Sequence, residues 1–324
     1  MSQAAGGAAP VAADRLTIRA PSYARYAWGV LAFNVLVILW GAFVRATGSG
    51  GGCGNHWPLC NGDVIPRAPA VQTLIELSHR LTSGLSLLLI GGLVLGAWRA
   101  FPGGHVVRRA AAWSGALIVT EALIGAGLVL LQYVADDTRT ARAWWVGGHL
   151  TNTFLLVAAL ALTAWWASGA PAPRLRQQGT VGATLLAALV AVLLLSISGA
   201  ITALGDTLFP VATLAEGKAL TFSPSAHVFV RLRIWHPTLA VTLGLLIAGA
   251  VASVARRRPA KRVRHLAIAV CGLWLLQLGL GLTNVYFLAP VPLQLAHLLL
   301  SDLIWIALVL FTASALAAPT AATA

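Results

Sequence analysis

Charge is what this sequence has least of. Only 10% of its 324 residues are Asp, Glu, Lys or Arg, and just nine are acidic. A soluble domain of this length needs far more charge to cover its surface, so a water-soluble globular fold is excluded. Short, evenly spaced segments of alternating hydrophobicity are also missing, which argues against a membrane β-barrel. Cysteine is scarce: Cys53 and Cys60 share one loop and Cys271 lies inside an apolar run, where it reads as a packing residue. The first 22 residues are rich in Ala and Gly and have no apolar core, so they read as a disordered tail and not a cleaved signal. A net charge of +13 raises the question of nucleic acid. The Lys and Arg, however, fall in the short segments between apolar runs, a membrane-topology pattern, and no nucleic-acid partner is expected.

What the chain has in excess is apolar length. Hydrophobic residues make up 58% of it, with a mean hydropathy of +0.82. Runs of about 20 apolar residues recur, each enough to carry a helix across a bilayer core of about 30 Å. They predict eight transmembrane helices, at 25–46, 73–99, 109–132, 144–167, 179–203, 234–255, 263–287 and 293–317. The fold class is therefore all-α integral membrane. An even number of crossings puts both termini on one side. One set of connecting segments holds fourteen Lys and Arg against Asp14 alone, and the other holds eight against six acids. The positive-inside rule assigns the first set, and both termini, to the cytoplasm of a plasma-membrane protein.

The chain repeats itself. His79 aligns with His236, Gly41-Ala42 with Gly199-Ala200, Glu121 with Gln277, Gly125 with Gly281 and His149 with His297. Helices rich in Leu, Gly and Ala align easily by chance, but His is rare in membrane helices, and two aligned pairs of it favour a true repeat. The expected organisation is a tail at 1–24, a four-helix half at 25–170, a cytoplasmic linker at 171–178, a second four-helix half at 179–317 and a tail at 318–324, the halves being two pseudo-symmetric four-helix bundles.

His79, His149, His236 and His297 lie on the second, fourth, sixth and eighth helices. Each is within about two turns of a helix start facing outward, at matching depth. A haem iron held by two His takes one imidazole from each of two facing helices, and an apolar bundle interior suits the macrocycle. A helix N-terminus also disfavours imidazolium, keeping the ring neutral for ligation. A single such His would more simply cap or hydrogen-bond a neighbouring helix; four at one depth form a constellation. His56, His105, His227 and His265 show no repeat and read as interfacial. Glu76 precedes His79 by three and Arg80 by four, so the three share a helical face. Glu76 is either one half of an ion pair with Arg80 or an acid serving chemistry beside a haem. Its counterpart in the second half is Arg233, so the halves differ. Arg45, Arg80, Arg231 and Arg233, at outer helix ends, suit either haem propionates or lipid headgroups. Glu121 and Asp302 are membrane acids with no cation in sight, and proton relay and packing both stay open.

The first outer loop, residues 45–66, reads RATGSGGGCGNHWPLCNGDVIP. Its Gly, Pro and Trp suggest a compact loop lying on the bilayer. Cys53 and Cys60, seven apart on the oxidising side, are placed to form a disulfide. A staple for a Gly-rich loop and redox exchange with substrate or donor are both open roles.

Together these residues resemble the haem A synthase family over about 25–317. The resemblance rests on Gly41 through Gly50 (GAFVRATGSG), Cys53 to Cys60 with Trp57-Pro58-Leu59, Glu76-Leu77-Ser78-His79-Arg80, His149-Leu150-Thr151-Asn152-Thr153, His236-Pro237 and His297. Their order and spacing together carry it. The loop departs from the family's usual Leu-x-Cys-Pro-Asp-Trp-Pro, reading Gly52-Cys53-Gly54-Asn55-His56-Trp57-Pro58, and the second half lacks a cysteine pair. The resemblance implies oxidation of one porphyrin methyl of haem O to a formyl, through a hydroxymethyl intermediate, giving haem A for terminal oxidases. It associates His79 and His149 with the substrate haem and His236 and His297 with a haem b cofactor. It matches Glu76 to the family's essential acid. Haem O synthase and an electron donor are the partners it implies, and a homo-oligomer is compatible with it. Two His on one iron leave no open position for oxygen, so the substrate haem either sheds a ligand or loses electrons from the macrocycle. A two-haem b electron carrier would use the same four histidines but needs neither Glu76 nor unequal halves, and transfer across the membrane would need haems near both faces. A transporter with a midplane site would need broken central helices, which the pattern lacks. A haem-binding assembly factor would share the ligands without the chemistry.

Overall fold

The computed structural model describes residues 11–317, with side chains from Pro21 onward. Ten α-helices follow one another: α1 (Val11–Ala46), α2 (Val71–Ala100), α3 (Val106–Leu130), α4 (Thr140–Ala167), α5 (Gly179–Leu208), α6 (Leu214–Thr221), α7 (Val228–Arg231), α8 (Trp235–Arg257), α9 (Lys261–Tyr286) and α10 (Val291–Ala315). Among the described residues there is no strand beyond two isolated bridges, Cys60 with Asp63 and Pro173 with Ala317. Eight helical stretches are long and apolar enough to cross a membrane: Pro21–Ala46, α2, α3, α4, α5, Val228–Arg257, α9 and α10. The protein is an all-helical, multi-pass membrane protein, as the composition predicts. In lipid every backbone N–H and C=O must be bonded within its own segment, which is why apolar length becomes helix here.

The boundaries differ from the sequence expectation in instructive places. α1, Val11–Ala46, overlaps the expected tail, with Pro21 inside the helix. The rest of the expected tails, 1–10 and 318–324, lies outside the described residues. The segment 204–233, read as a loop, is partly helical. α5 runs on to Leu208, and α6 starts on a capping arrangement. There the Thr213 hydroxyl accepts from the Glu216 backbone N–H at 3.1 Å, and the Glu216 carboxylate accepts from the Ala212 N–H at 2.8 Å. Thr213-Leu214-Ala215-Glu216 carries that signal in plain sight.

α1 packs on α2 and α4, with α3 touching α2 and α4; α5 packs on α8 and α10, with α9 touching α8 and α10. Between these two sets, α4 and α1 meet α10 and α5. α4 and α10 are the most enclosed of the eight spans. Their contact centres on Trp305, 2% exposed, whose ring lies 5.3 Å from Phe154 and whose indole N–H donates to the Phe154 carbonyl at 2.6 Å. Leu36, Leu88, Leu245 and Leu275, each more than 60% exposed, point away from this core. On a membrane helix that is the lipid-facing side.

Trp305→Ala should lower stability by about 3–5 kcal/mol through lost packing. Trp305→Phe, losing mainly an interhelical hydrogen bond, should cost about 1 kcal/mol. Thermal unfolding midpoints in detergent check the order; equal losses would mean that the indole packing contributes little.

Candidate functional site: histidines set against glycines

Helix register brings the four histidines to one level. His79 is the ninth residue of α2, His149 the tenth of α4 and His297 the seventh of α10. His236 is only the second residue of α8, but α7 and a 3-10 turn at Leu232–Ile234 lead into it, so it is the ninth residue after Val228 begins the span. Pro237 follows in the first turn of α8, where its missing N–H costs nothing.

Each imidazole lies against a glycine of the preceding membrane helix. A Cβ at Gly41 would stand 2.8 Å from Cε1 of His79, and one at Gly199 2.8 Å from Cε1 of His236. At Gly281 it would stand 3.1 Å from Cε1 of His297, and at Gly125 3.9 Å from Cε1 of His149. The glycines and histidines that align in the sequence repeat are therefore contact partners in space. In three of the four pairs a methyl group would push on the ring.

Two of the rings stand edge to face. The centroids of His236 and His297 are 6.3 Å apart with planes at 82°. A single metal between two imidazole nitrogens, each bonded at about 2 Å, puts the centroids roughly 6 Å apart. His236 Nδ1 is 3.0 Å from the Ser198 hydroxyl, which leaves its Nε2 for a ligand. Nδ1 of His79, His149 and His297 is buried without a hydrogen bond. Among the described residues no three of His, Cys, Asp and Glu gather as a bare-metal site. A pair of His can complete the coordination of a haem iron, since the porphyrin supplies the other four donors. The residues present fit haem.

Glu76 lies one turn outward from His79 and is 3% exposed. Its Oε1 accepts from Arg80 Nη2 at 2.5 Å and Nε at 3.1 Å, and its Oε2 accepts from the Cys53 backbone N–H at 2.8 Å. Arg80 also donates from Nη1 to the carbonyls of His56 and Leu59, at 2.7 and 2.6 Å. Cys53 and Cys60 are disulfide-bonded and buried. The Thr73 hydroxyl donates to the Gly52 carbonyl at 2.7 Å, and a Cβ on Gly52 would lie 2.5 Å from the Gln72 backbone. Glu76 thus pins the disulfide loop over the helix that carries His79.

The other three arginines divide. Arg45 donates to the Ala203 carbonyl at 2.9 Å, Thr207 at 2.8 Å and Gln294 at 2.9 Å, bridging α1 to α5 and α10. Arg233 pairs with Asp206 at 2.8 Å and donates to the carbonyls of Gly205 and Phe209. Arg231 is exposed. Asp302 is fully buried on α10, neither oxygen hydrogen-bonded.

Glu121, left undecided by the sequence, is beside a histidine. Its Oε1 is 3.4 Å from His149 Nδ1, a charge contact off-line for a hydrogen bond. Asn152 Nδ2 donates to its Oε2 at 2.6 Å, and Thr153 donates to its Oε1. The aligned Gln277 instead donates to the His297 carbonyl at 3.0 Å. The signal was available: Glu121 and His149 lie equally far from the turn joining α3 to α4.

Residues 24–309 match the cytochrome oxidase assembly protein family, COX15-CtaA. The chain belongs to that family. Among its relatives, a Thermus thermophilus protein named protoheme IX farnesyltransferase is 52% identical over 302 residues, 92% of this chain and 50% of that protein. A second Thermus thermophilus strain has a counterpart at 51% over the same coverage. A Bacillus cereus heme A synthase is 43% identical over 96 residues, 30% of this chain and 31% of that protein. The chain spans about half the length of the Thermus relatives it matches.

The glycine contacts make a graded prediction. Gly41→Ala and Gly199→Ala should displace His79 and His236, at about 1–3 kcal/mol of strain each. Haem retained after purification should fall correspondingly. Gly125→Ala, in ordinary contact, should keep it. Absorption spectra of the three variants check this, and equal retention in all three would mean that the glycines do not position the rings.

Proposed function

We propose that this family member is a haem A synthase, an oxidoreductase that converts a porphyrin methyl of haem O to a formyl through a hydroxymethyl intermediate, giving haem A for terminal oxidases. The observation that carries the reading is the four glycine-backed histidines at one depth, with a loop-anchored carboxylate beside one of them. Family membership and the Bacillus relative's name support the same chemistry.

The reading divides the chain into a substrate half, 25–170, and a cofactor half, 179–317, each a four-helix bundle, joined by a cytoplasmic linker at 171–178. His79 and His149 would hold the substrate haem O, and His236 and His297 a resident haem b. Bound haem b supplies one-electron redox chemistry. Both termini would be cytoplasmic, with the haem sites near the outer face of the plasma membrane. Glu76 would stabilise positive charge developing at the reacting edge of the substrate, or accept the proton released there. Its bonds to Arg80 and the Cys53 N–H hold it in place for either. Arg231 is exposed enough to meet a propionate directly, whereas Arg45, Arg80 and Arg233 would have to share guanidinium groups already bonded to protein.

The Thermus relatives carry another activity in their names, farnesyl transfer to protohaem. We assign that activity to the half of those proteins with which this chain does not align. Prenyl transfer expels a diphosphate, usually neutralised by cations on clustered carboxylates, and this chain has a single pair of adjacent acids, Asp136 and Asp137. Prenyl transfer has no need of four histidines. A haem-prenylating enzyme supplying haem O, and an electron donor, are the partners the reading requires.

The test is haem extraction and chromatography after coexpression with a source of haem O. Wild type should yield haem A and its hydroxymethyl precursor, and Glu76→Ala should lose product by about 10²-fold or more. Haem O left untouched while haem b stays bound would favour an electron carrier. Full turnover by Glu76→Gln would remove Glu76 from the chemistry.

A further inference from the structure

The two histidine pairs differ in one charged neighbour. At the aligned position on the helix before the second histidine, α3 carries Glu121 and α9 carries Gln277. Glu121 Oε1 lies 3.4 Å from Nδ1 of His149, the ring nitrogen facing away from a ligand held at Nε2. Asn152 and Thr153 bond both its oxygens and fix it there. Among the described residues no Lys or Arg pairs with it. In the other half the Gln277 amide donates to the His297 backbone carbonyl at 3.0 Å, and its Oε1 and His297 Nδ1 are each buried without a partner. One imidazole therefore has an anion behind it and its counterpart a neutral amide.

A carboxylate behind a ligating imidazole makes the ligand more basic, and negative charge near an iron favours the ferric over the ferrous state. We infer that Glu121 is a positioning and potential-setting residue, holding an iron bound between His79 and His149 at a lower reduction potential than one bound between His236 and His297. The difference gives electrons a direction, from the first site toward the second. The inference rests on the haem reading above.

The experiment is a potentiometric titration of the whole 324-residue chain loaded with protohaem at both sites, followed optically. His149→Ala and His297→Ala assign each wave by removing it. Glu121→Gln should raise the potential of the first-half wave by about 59 mV, a tenfold change in its one-electron equilibrium, and leave the other in place. Glu121→Asp should restore much of the shift. Gln277→Glu should lower the second-half wave, testing the same effect in a half that Glu121 does not touch. Both waves unmoved with haem still bound would overturn the inference and leave the haem reading standing. Loss of no haem in either His variant would overturn the haem reading, and this inference with it.

Discussion

Everything around the four histidines depends on how closely an imidazole can approach the backbone of the next helix. A His side chain on a membrane helix is costly unless it is enclosed by protein. Here it is enclosed because Gly41, Gly199, Gly281 and, more loosely, Gly125 leave room for a ring where any side chain would stand. The glycines bring helices together, as small residues do in membranes generally, and they also aim the rings. The 6.3 Å separation of His236 and His297 follows from that aim: α5 backs one ring and α9 the other.

On this repeated frame the two halves diverge in their charges. The first half anchors Glu76 to Arg80 and to the disulfide loop, whereas the second sets Arg233 against Asp206 at the end of α5. Both are ion pairs at the outer end of a histidine-bearing span, but the acid is on the histidine's own helix only in the first. Glu121 against Gln277 is a second divergence of the same kind. A duplicated bundle with equal sites would suit simple electron transfer. Unequal charges beside matching histidines would suit one site that reacts and one that supports it.

The helices, their approximate ends and the glycine–histidine repeat were legible in the sequence because hydropathy and rare residue types report them directly. α6 was legible too, through Thr213 and Glu216, but Gly, Pro and the lack of apolar length made the segment read as loop. Harder to see were the partners of long side chains. Arg45 reaches the carbonyl of Ala203, 158 positions away, and Arg80 reaches carbonyls in the Cys53–Cys60 loop. Backbone acceptors leave no mark in a sequence, so these arginines read as free for propionates or headgroups when most of their donors are already used.

Glu121 shows what the sequence could have yielded. Its neighbour His149 is 28 residues on, yet an antiparallel pair of helices brings residues equidistant from the turn to one level. That geometry needs only the loop position, and the motif His149-Leu150-Thr151-Asn152-Thr153 then acquires a physical meaning. Asn152 and Thr153, three and four residues after the histidine, reach the same neighbouring helix and hold the carboxylate beside its ring. Asn152 has its own acceptor oxygen bonded by Thr120 at 2.6 Å, so its amide is oriented with the NH₂ toward Glu121. A glutamate held by two neutral donors keeps its charge available to the nearby imidazole instead of spending it on a cation. In the second half Gln277 bonds to the backbone, and no such charge is available to His297.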